Sequence, residues 1–362
     1  MNKLQQTVHI LLFILLSATI LYFSSSFLIP IALSAVLAML FIGLSNRLER
    51  KGMKRGFSAL VAIGLFIIAV TIIVSLLAWQ LNSFSENLAD MKLRLITLLQ
   101  DLKGWIETTL GISTQQQEAL IKEQRTSSAH ATSGLLAGFA TQTLSILINT
   151  VLVLVYIYLF LFYRSRIKQF FLKLVPSRNY DQTEKIIQQA ARVSQQYLSG
   201  LAGMIMMLWI LYGIGFQLVG VKNALFFAVL CGILEIVPFV GNITGTSITV
   251  LAVIAQGGKS ELIVGVVAVY LLVQFFQTYV LEPLIVGNQV NINPLFTIMA
   301  LVAGELLWGV AGMVLAIPLL GIIKIVCDHI PSLQPYGFLI GTEAKPKKKH
   351  FIQKLKIKKA KR

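Results

Sequence analysis

Charged residues are scarce in this chain, which argues against an ordinary soluble fold. They make up 13% of its 362 residues, whereas soluble proteins usually reach about 25%. Apolar residues make up 56% of the chain and form long runs, which are typical of membrane spans. The charge that is present is mainly positive, 31 basic against 15 acidic residues, and the excess lies in short loops and in the C-terminal tail. The sequence therefore predicts a protein that crosses a lipid bilayer several times.

Cysteine and histidine are also rare, which argues against several kinds of chemistry. Cys231 and Cys327 both lie in apolar segments and do not have the spacing of metal ligands, so we interpret them as small buried side chains. The chain contains no G-x-S-x-G, no H-E-x-x-H and no phosphate-binding loop. We therefore predict no enzyme activity, no catalytic residue, no metal and no cofactor.

Basic connectors between the apolar runs predict the orientation of the chain. We expect spans at 8–27 and 31–45, separated at Pro30, and further spans at 57–79 and 135–163. The connector NRLERKGMKR and the segment 164–192 are both rich in Lys and Arg, which places them in the cytoplasm by the positive-inside rule. The N-terminus is then cytoplasmic, and its apolar run is too long for a cleaved signal peptide.

The segment 80–134 is a polar excursion on the external side. Within it, apolar residues recur every three or four positions and predict a heptad seam on a helix; they are Phe84, Leu88, Met91, Leu95, Leu98, Leu102 and Trp105. The seam fits either a helix of the same chain or a second subunit. Both alternatives stay open at this point.

Two cytoplasmic segments carry an excess of positive charge. After Pro176, an amphipathic helix with an apolar face that includes Ile186, Ala190 and Tyr197 is expected along the membrane surface or under the helix bundle. The tail, 328–362, has no acidic residue after Glu343 and ten basic ones, so we expect it to contact anionic lipid. We predict no nucleic-acid partner.

The C-terminal half predicts two helical hairpins. The stretches 224–256 and 294–327 are apolar but interrupted by Gly and Pro. As single helices they would be about 50 Å long, well above the roughly 30 Å of hydrocarbon. Re-entrant hairpins fit better than pairs of full spans, and 201–219 and 261–281 are ordinary spans. The predicted fold is all-α, with about six spans and two re-entrant hairpins (or eight spans), and both termini are inside.

The same boundaries divide the chain into five regions. They are an N-terminal three-span region at 1–79, the external segment at 80–134, the fourth span with its cytoplasmic helix at 135–200, a transport core at 201–327 and the polybasic tail at 328–362.

Glu235 is the first candidate site residue. It lies eleven residues after Ala224 in LEIVPFVGNITG, which is about 16 Å into the membrane on a helix. A carboxylate at that depth costs about 2.5–3.5 kcal/mol, so it is rare without a partner or a role. Helix-breaking residues follow it and would expose polar backbone groups toward protein or water. This arrangement is typical of a substrate or ion site in a transporter.

Glu305, in GELLWGVAG, has the corresponding position in the second hairpin, eleven residues after Pro294. We therefore interpret 201–256 and 261–327 as possible inverted repeats, with both hairpins lining a site near the midplane. Between them, EPLIVGNQVNINPL begins with Glu282 and predicts a turn-rich cytoplasmic connector. A structural role for each glutamate is the alternative.

The predicted pathway combines these carboxylates with neighbouring polar and helix-breaking residues. The pathway residues are Glu235, Pro238, Gly241, Asn242, Thr244, Gln274, Gln277, Glu282, Pro283, Gly287, Asn288 and Glu305. The hairpin hinges are Gly245, Gly304, Gly309, Gly312 and Pro318.

These motifs resemble those of the autoinducer-2 exporter family of bacterial membrane proteins. The resemblance rests on LEIVPFVGNITG and on EPLIVGNQVNINPLFTIMALVAGELLWGVAGMVLAIPLLGIIKIV, and it covers nearly the whole chain. It departs at Leu284, where many relatives carry a basic residue, so a charge-paired gate at that place is in doubt.

The resemblance implies an inner-membrane exporter of small polar signals such as autoinducer-2, with a part in quorum sensing. It also implies a homo-oligomer, with a pentamer expected. Some relatives are sodium (lithium)/proton antiporters, which is the alternative within transport and makes H+ or Na+ a second expected partner. A gated pore or an oligomeric membrane scaffold is the alternative from another class.

Overall fold

Helices form the great majority of the described structure, a computed structural model of the chain. It describes residues 3–85, 97, 100, 104, 107–108, 135–237, 240–286 and 291–342. The helices are α1 Lys3–Phe23, α2 Ser25–Arg50, α3 Arg55–Ser85, α4 Leu135–Lys173, α5 Tyr180–Val219, α6 Ala224–Leu234, α7 Val240–Ala255, α8 Ser260–Phe276, α9 Pro294–His329 and α10 Gln334–Ile340. A π-helical segment, Gln277–Val286, continues α8. Short 3-10 turns precede α5 and α10.

Seven helices of the described part are long and apolar enough to cross a membrane. Six of them, α1 to α5 and α8 with its π-helical end, match the six predicted spans. Large apolar side chains cover their outer surfaces, among them Phe13, Ile72 and Leu218. An apolar outer surface is what a lipid environment requires, so the predicted all-α membrane bundle is confirmed.

The break between the first two spans lies at Ser24, not at the predicted Pro30. Pro30 is buried inside α2. Pro30 is the sixth residue of α2 and removes one intrahelical hydrogen bond. Neighbouring groups in a helix bundle can compensate for such a loss, and the Ser34 hydroxyl donates to the Pro30 carbonyl at 2.5 Å. The helix therefore passes through the proline, and the prediction of a break there was wrong.

The predicted amphipathic cytoplasmic helix and the following span form one helix. α5 runs for 40 residues from Tyr180 to Val219 and ends at Gly220, which adopts the left-handed conformation with φ 87°. Its length is about 60 Å, and because the helix is unbroken its first half continues the direction of the span. No proline interrupts it, which explains why the two segments join.

α5 is the centre of the bundle. It packs against α6, α8, the π-helical segment, α2 and α9. The core between α5 and the helices of the first hairpin contains Tyr212, Phe216 and Phe227, each at most 1% exposed. A second core holds α2, α3 and α4 together through Ala59, Ile157 and Leu161, among others. Both hairpins therefore pack against the same helix, α5.

Ion pairs join helix ends that are rich in basic residues. The Arg164 guanidinium on α4 lies 2.6 Å from Glu49 on α2, and it also donates to Ser45. Lys168 on α4 pairs with Glu184 on α5 at 2.5 Å. The two segments predicted to be cytoplasmic therefore lie at the same end of the bundle.

Several predictions fall outside the described residues. These are the heptad seam from Leu88 to Trp105, three candidate pathway residues, Pro238, Gly287 and Asn288, and the basic tail from Glu343 onward.

Candidate functional site

The first hairpin consists of α6 and α7, joined by a short turn that begins at Glu235. α6 has 11 residues and α7 has 16, so at 1.5 Å per residue they are about 16 Å and 24 Å long. Both are shorter than the hydrocarbon core of roughly 30 Å. A hairpin is therefore present at the predicted place, and its re-entry within the bilayer stays a prediction.

Glycines bring the two arms of this hairpin together. A Cβ atom on Gly241 would collide with the carbonyl group of Leu234. Gly245 lies against Cys231 of the opposite arm, where a Cβ would be 3.1 Å from its Cα. Only a residue without a side chain permits such an approach at Gly241, and this close turn fixes where the Glu235 side chain lies.

Glu235 is a buried carboxyl group held by one amide. It is 5% exposed, and its Oε1 accepts a hydrogen bond of 2.7 Å from Nε2 of Gln277. Its second oxygen and the Gln277 Oε1 have no hydrogen-bond partner among the described residues. A buried carboxyl with one neutral donor and one free oxygen is suited to hold a proton or a small cation.

A second set of side chains links the hairpin to α8. Asn242 Nδ2 donates to Gln274 Oε1 at 2.7 Å, and the Tyr270 hydroxyl donates to Asn242 Oδ1 at 3.1 Å. Gln274 and Gln277 thus face the hairpin together, as their spacing predicts. We call these five residues, Glu235, Asn242, Tyr270, Gln274 and Gln277, the Glu235 cluster.

The Glu235 cluster lies where α8 changes to π-helix. Gln277 is the first residue of the π-helical segment, and such segments are frequent at functional sites. Glu282 lies in the same segment but is exposed, whereas Leu281 beside it is buried. Glu282 therefore does not join the cluster. Pro283 is the next residue of the same π-helical segment.

The second hairpin is formed within α9. Trp308 and Gly309 depart from helical geometry, and Gly309 has φ 58°. A Cβ atom on either Gly304 or Gly312 would collide with the backbone of the other. Residues eight apart in a straight helix are about 12 Å distant, so the chain folds back at Gly309. Pro318 is buried inside the second arm and does not break it.

Glu305 occupies a different environment from Glu235. It is exposed and lines a cavity of about 500 Å³ together with Tyr22, Phe23 and Ser25 from the turn between α1 and α2. The second hairpin packs mainly on α5, α2 and α1, whereas the first packs mainly on α5, α8 and α3. Within one chain, the two glutamates therefore have different neighbours among the described residues, and a site shared by both hairpins stays a prediction.

The sequence identified four of the five members of the Glu235 cluster. It missed Tyr270, although this residue precedes Gln274 by four positions and Gln277 by seven. That spacing would have placed Tyr270 on the same helix face as the two glutamines. It also missed Thr249, which is fully buried and lies 3.6 Å from the Cys231 sulfur. Thr244, by contrast, is exposed on α7. Among the described residues there is no group of three His, Cys, Asp or Glu that could hold a metal ion.

Known proteins with similar sequences are bacterial proteins that are named putative transport proteins. The sequence pattern of the family described as "AI-2E family transporter" matches residues 11–332. "Putative transport protein YrrI" of Bacillus subtilis is 24% identical over 305 residues, covering 83% of this chain and 86% of that protein. "Putative transport protein MT0215" of Mycobacterium tuberculosis is 26% identical over 301 residues, with 80% and 79% covered. "Putative transport protein YhhT" of Escherichia coli K12 is 24% identical over 297 residues, with 81% of each covered.

Proposed function

The chain belongs to the AI-2E family of transporters, and from this premise we propose that it exports a small polar solute across a bacterial inner membrane. We also propose that transport is coupled to a proton or cation that binds at Glu235. The observation that supports the coupling is the buried carboxyl group, 5% exposed, with one oxygen that has no hydrogen-bond partner among the described residues. The bacterial relatives and the basic loops support the membrane assignment.

The physical argument for coupling is the cost of an isolated charge. Gln277 donates one hydrogen bond to Glu235 but brings no positive charge. An ionised carboxylate in an apolar region is strongly disfavoured unless it is paired. Binding of a proton or of a small cation removes this cost, so occupancy of Glu235 is linked to the conformation that buries it.

The Glu235 cluster also suggests which motion follows. The first hairpin is attached to α8 by the Glu235–Gln277 and Asn242–Gln274 contacts. Binding or release of a proton or cation at Glu235 changes the Glu235–Gln277 contact directly. It changes the Asn242–Gln274 contact indirectly, because Asn242 follows Glu235 closely in the same hairpin. We propose that these contacts close the pathway on one side and release it when the occupancy of Glu235 changes.

A sodium (lithium)/proton antiporter is the second candidate, and one observation favours it. The free oxygen of Glu235 and the Gln277 Oε1 are both without a donor in the described part of the chain. Hard cations such as Na+ prefer oxygen ligands of this kind. A proton and Na+ would then compete for the same carboxyl group. An assembly of several copies, as the resemblance implies, is compatible with both candidates.

The test is flux in proteoliposomes that contain the purified protein. Autoinducer-2, Na+ or Li+ is placed on one side, and solute release and internal pH are recorded in parallel. We expect saturable, gradient-dependent flux. We expect Glu235→Gln to lower the coupled pH change at least about tenfold, because the amide cannot bind or release the coupling proton.

Glu261→Gln is the matched control, since Glu261 is an exposed glutamate at the start of α8. Its flux should equal that of the unmodified protein. Unchanged coupling in the Glu235→Gln protein would refute the role of Glu235. Ohmic current without saturation would indicate a pore, and no flux of any tested solute would leave a scaffold as the remaining function.

A further inference from the structure

The cavity at the tip of the second hairpin combines a single carboxylate with aromatic side chains. It has a volume of about 500 Å³, within the usual range for small-molecule sites. Its lining includes Glu305 and Trp308 from the hairpin, Tyr22 and Phe23 from the end of α1, and Ser25 and Ile29 from the start of α2. The cavity thus lies between two parts of the chain that are almost 300 residues apart.

Among the described residues, Glu305 has no counter-charge in its surroundings. None of the described residues forms a hydrogen bond or an ion pair with it, and Lys324 in the second arm pairs instead with Asp328. Glu305 is the one charged residue in the stretch 298–323 of this hairpin. A carboxylate in such a setting requires a cationic partner or water, and the partner has to come from outside the described residues.

The aromatic rings define the class of cation. Trp308 is held by a hydrogen bond of 2.9 Å from its indole nitrogen to the Leu21 carbonyl. The Tyr22 and Phe23 rings are arranged edge to face with centroids 5.6 Å apart. Aromatic faces attract organic ammonium ions through their quadrupoles, and rings beside a carboxylate are a common arrangement for such ions. A small metal ion would prefer additional oxygen ligands.

We propose that the Glu305 cavity binds a small organic ammonium ion with one positive charge. A single carboxylate balances a single charge, and Glu305 is the one charged side chain that lines the cavity, so a polyamine would leave its further charges without a partner there. The ammonium group can belong to a free solute or to a lipid headgroup, because the α1–α2 turn lies on the predicted external side. The site is independent of Glu235 and of the proposed transport coupling.

The first experiment compares choline with its neutral isostere 3,3-dimethylbutan-1-ol. The full-length protein is placed in nanodiscs of phosphatidylglycerol, which has no ammonium group, and binding is measured by titration calorimetry. We expect saturable binding of choline and at least about tenfold weaker binding of the neutral compound, because the charge and the cation–π attraction are lost. Absence of saturable choline binding, or equal binding of both compounds, would overturn the proposal.

Three variants locate the site. Glu305→Gln should weaken choline binding about tenfold, whereas Glu305→Asp should keep the preference for choline over its isostere. The matched control Glu261→Gln and the transport variant Glu235→Gln should bind choline as the unmodified protein does. Equal choline affinity in the Glu305→Gln protein would refute the site, and this outcome is distinguishable from a failure of coupling at Glu235.

The source of the ammonium group is tested with phosphatidylethanolamine. If a headgroup fills the cavity, choline affinity should fall as the share of this lipid rises, and Glu305→Gln should abolish that dependence. If affinity does not depend on the lipid, a free solute is the ligand. Either result supports the proposal, and a dependence that is equally strong in the Glu305→Gln protein contradicts it.

Discussion

The side chains of Glu235 and Glu305 show how one residue type acquires different chemistry in one fold. Glu235 is buried between a hairpin and α8 and receives a hydrogen bond from Gln277. Glu305 is exposed at a cavity with aromatic walls. We propose that the first environment binds a proton or small ion reversibly and that the second binds a bulky organic cation.

Removal of the amide that contacts Glu235 should destabilise the protein. Gln277→Leu leaves a buried carboxyl without its described donor, and we expect a loss of about 1–3 kcal/mol in the free energy of unfolding. The measurement is thermal unfolding of the purified protein in detergent. Glu235→Gln combined with Gln277→Leu should cost less than the sum of the two changes, because the two residues interact.

Gln217→Leu is a suitable control for this prediction. Gln217 is exposed on α5, so its replacement should change stability by less than about 0.5 kcal/mol. Strict additivity of the Glu235 and Gln277 variants would show that their hydrogen bond contributes nothing measurable.

At the helix scale, glycine rather than proline decides where the second hairpin reverses. Pro30 and Pro318 both lie inside helices. Gly309, with positive φ, turns the second hairpin, and the close contact between Gly304 and Gly312 lets its arms approach. A helix in a bilayer tolerates proline because neighbouring groups compensate for the lost hydrogen bond, whereas a tight reversal needs backbone without a side chain.

A methyl group at the first hairpin should be poorly tolerated. Gly241→Ala places a Cβ against the Leu234 carbonyl, so we expect a loss of about 1–3 kcal/mol in stability through overpacking. Thermal unfolding and the yield of folded protein on size-exclusion chromatography measure the effect. The displaced turn should also reduce transport, because it carries Glu235.

Gly64→Ala provides the matched comparison. Gly64 lies in α3, and a Cβ there would meet no atom within 4 Å. Alanine is the better helix former by about 1 kcal/mol, so this variant should be as stable as the original or more stable. Equal loss in both variants would contradict the role assigned to the close approach at Gly241.

For the whole molecule, the distribution of charge and the packing agree on one orientation. The basic connector after α2 and the basic end of α4 meet through Arg164 and Glu49. At the start of the second hairpin, the backbone N–H of Asn293 donates to the Ile340 carbonyl at 2.9 Å. The end of α10 therefore lies beside the connector that leads into α9. These segments are expected in the cytoplasm, and the turns next to the first hairpin are expected outside.

Labelling from one side of the membrane tests this orientation. In a protein with Cys231→Ala and Cys327→Ala, single cysteines replace the exposed residues Lys222, Lys54 or Ser332. We expect an impermeant maleimide to label Lys222→Cys in intact cells. We expect it to label Lys54→Cys and Ser332→Cys only after permeabilisation, because the positive-inside rule places them in the cytoplasm. The reverse pattern would invert the topology and the predicted direction of both hairpins.

The sequence by itself determined the membrane class, six of the seven long apolar helices of the described part and the positions of both hairpins. Hydrophobic length and the placement of Gly and basic residues are local properties, and the bilayer acts on them in the same way in every fold. Local pattern also identified Glu235, Asn242, Gln274 and Gln277, because polar residues in apolar helices are rare enough to stand out.

Only the tertiary structure decided which of these residues meet. Pro30 looked like a break because proline lowers helix propensity, yet packing keeps it inside α2. The two glutamates have equivalent positions in the sequence. Both hairpins pack against α5, but their other neighbours differ, so Glu235 contacts α8 and its π-helical end whereas Glu305 lies beside the α1–α2 turn. The reason is that contacts between distant segments depend on how helices pack, and no local pattern in one sequence encodes that choice.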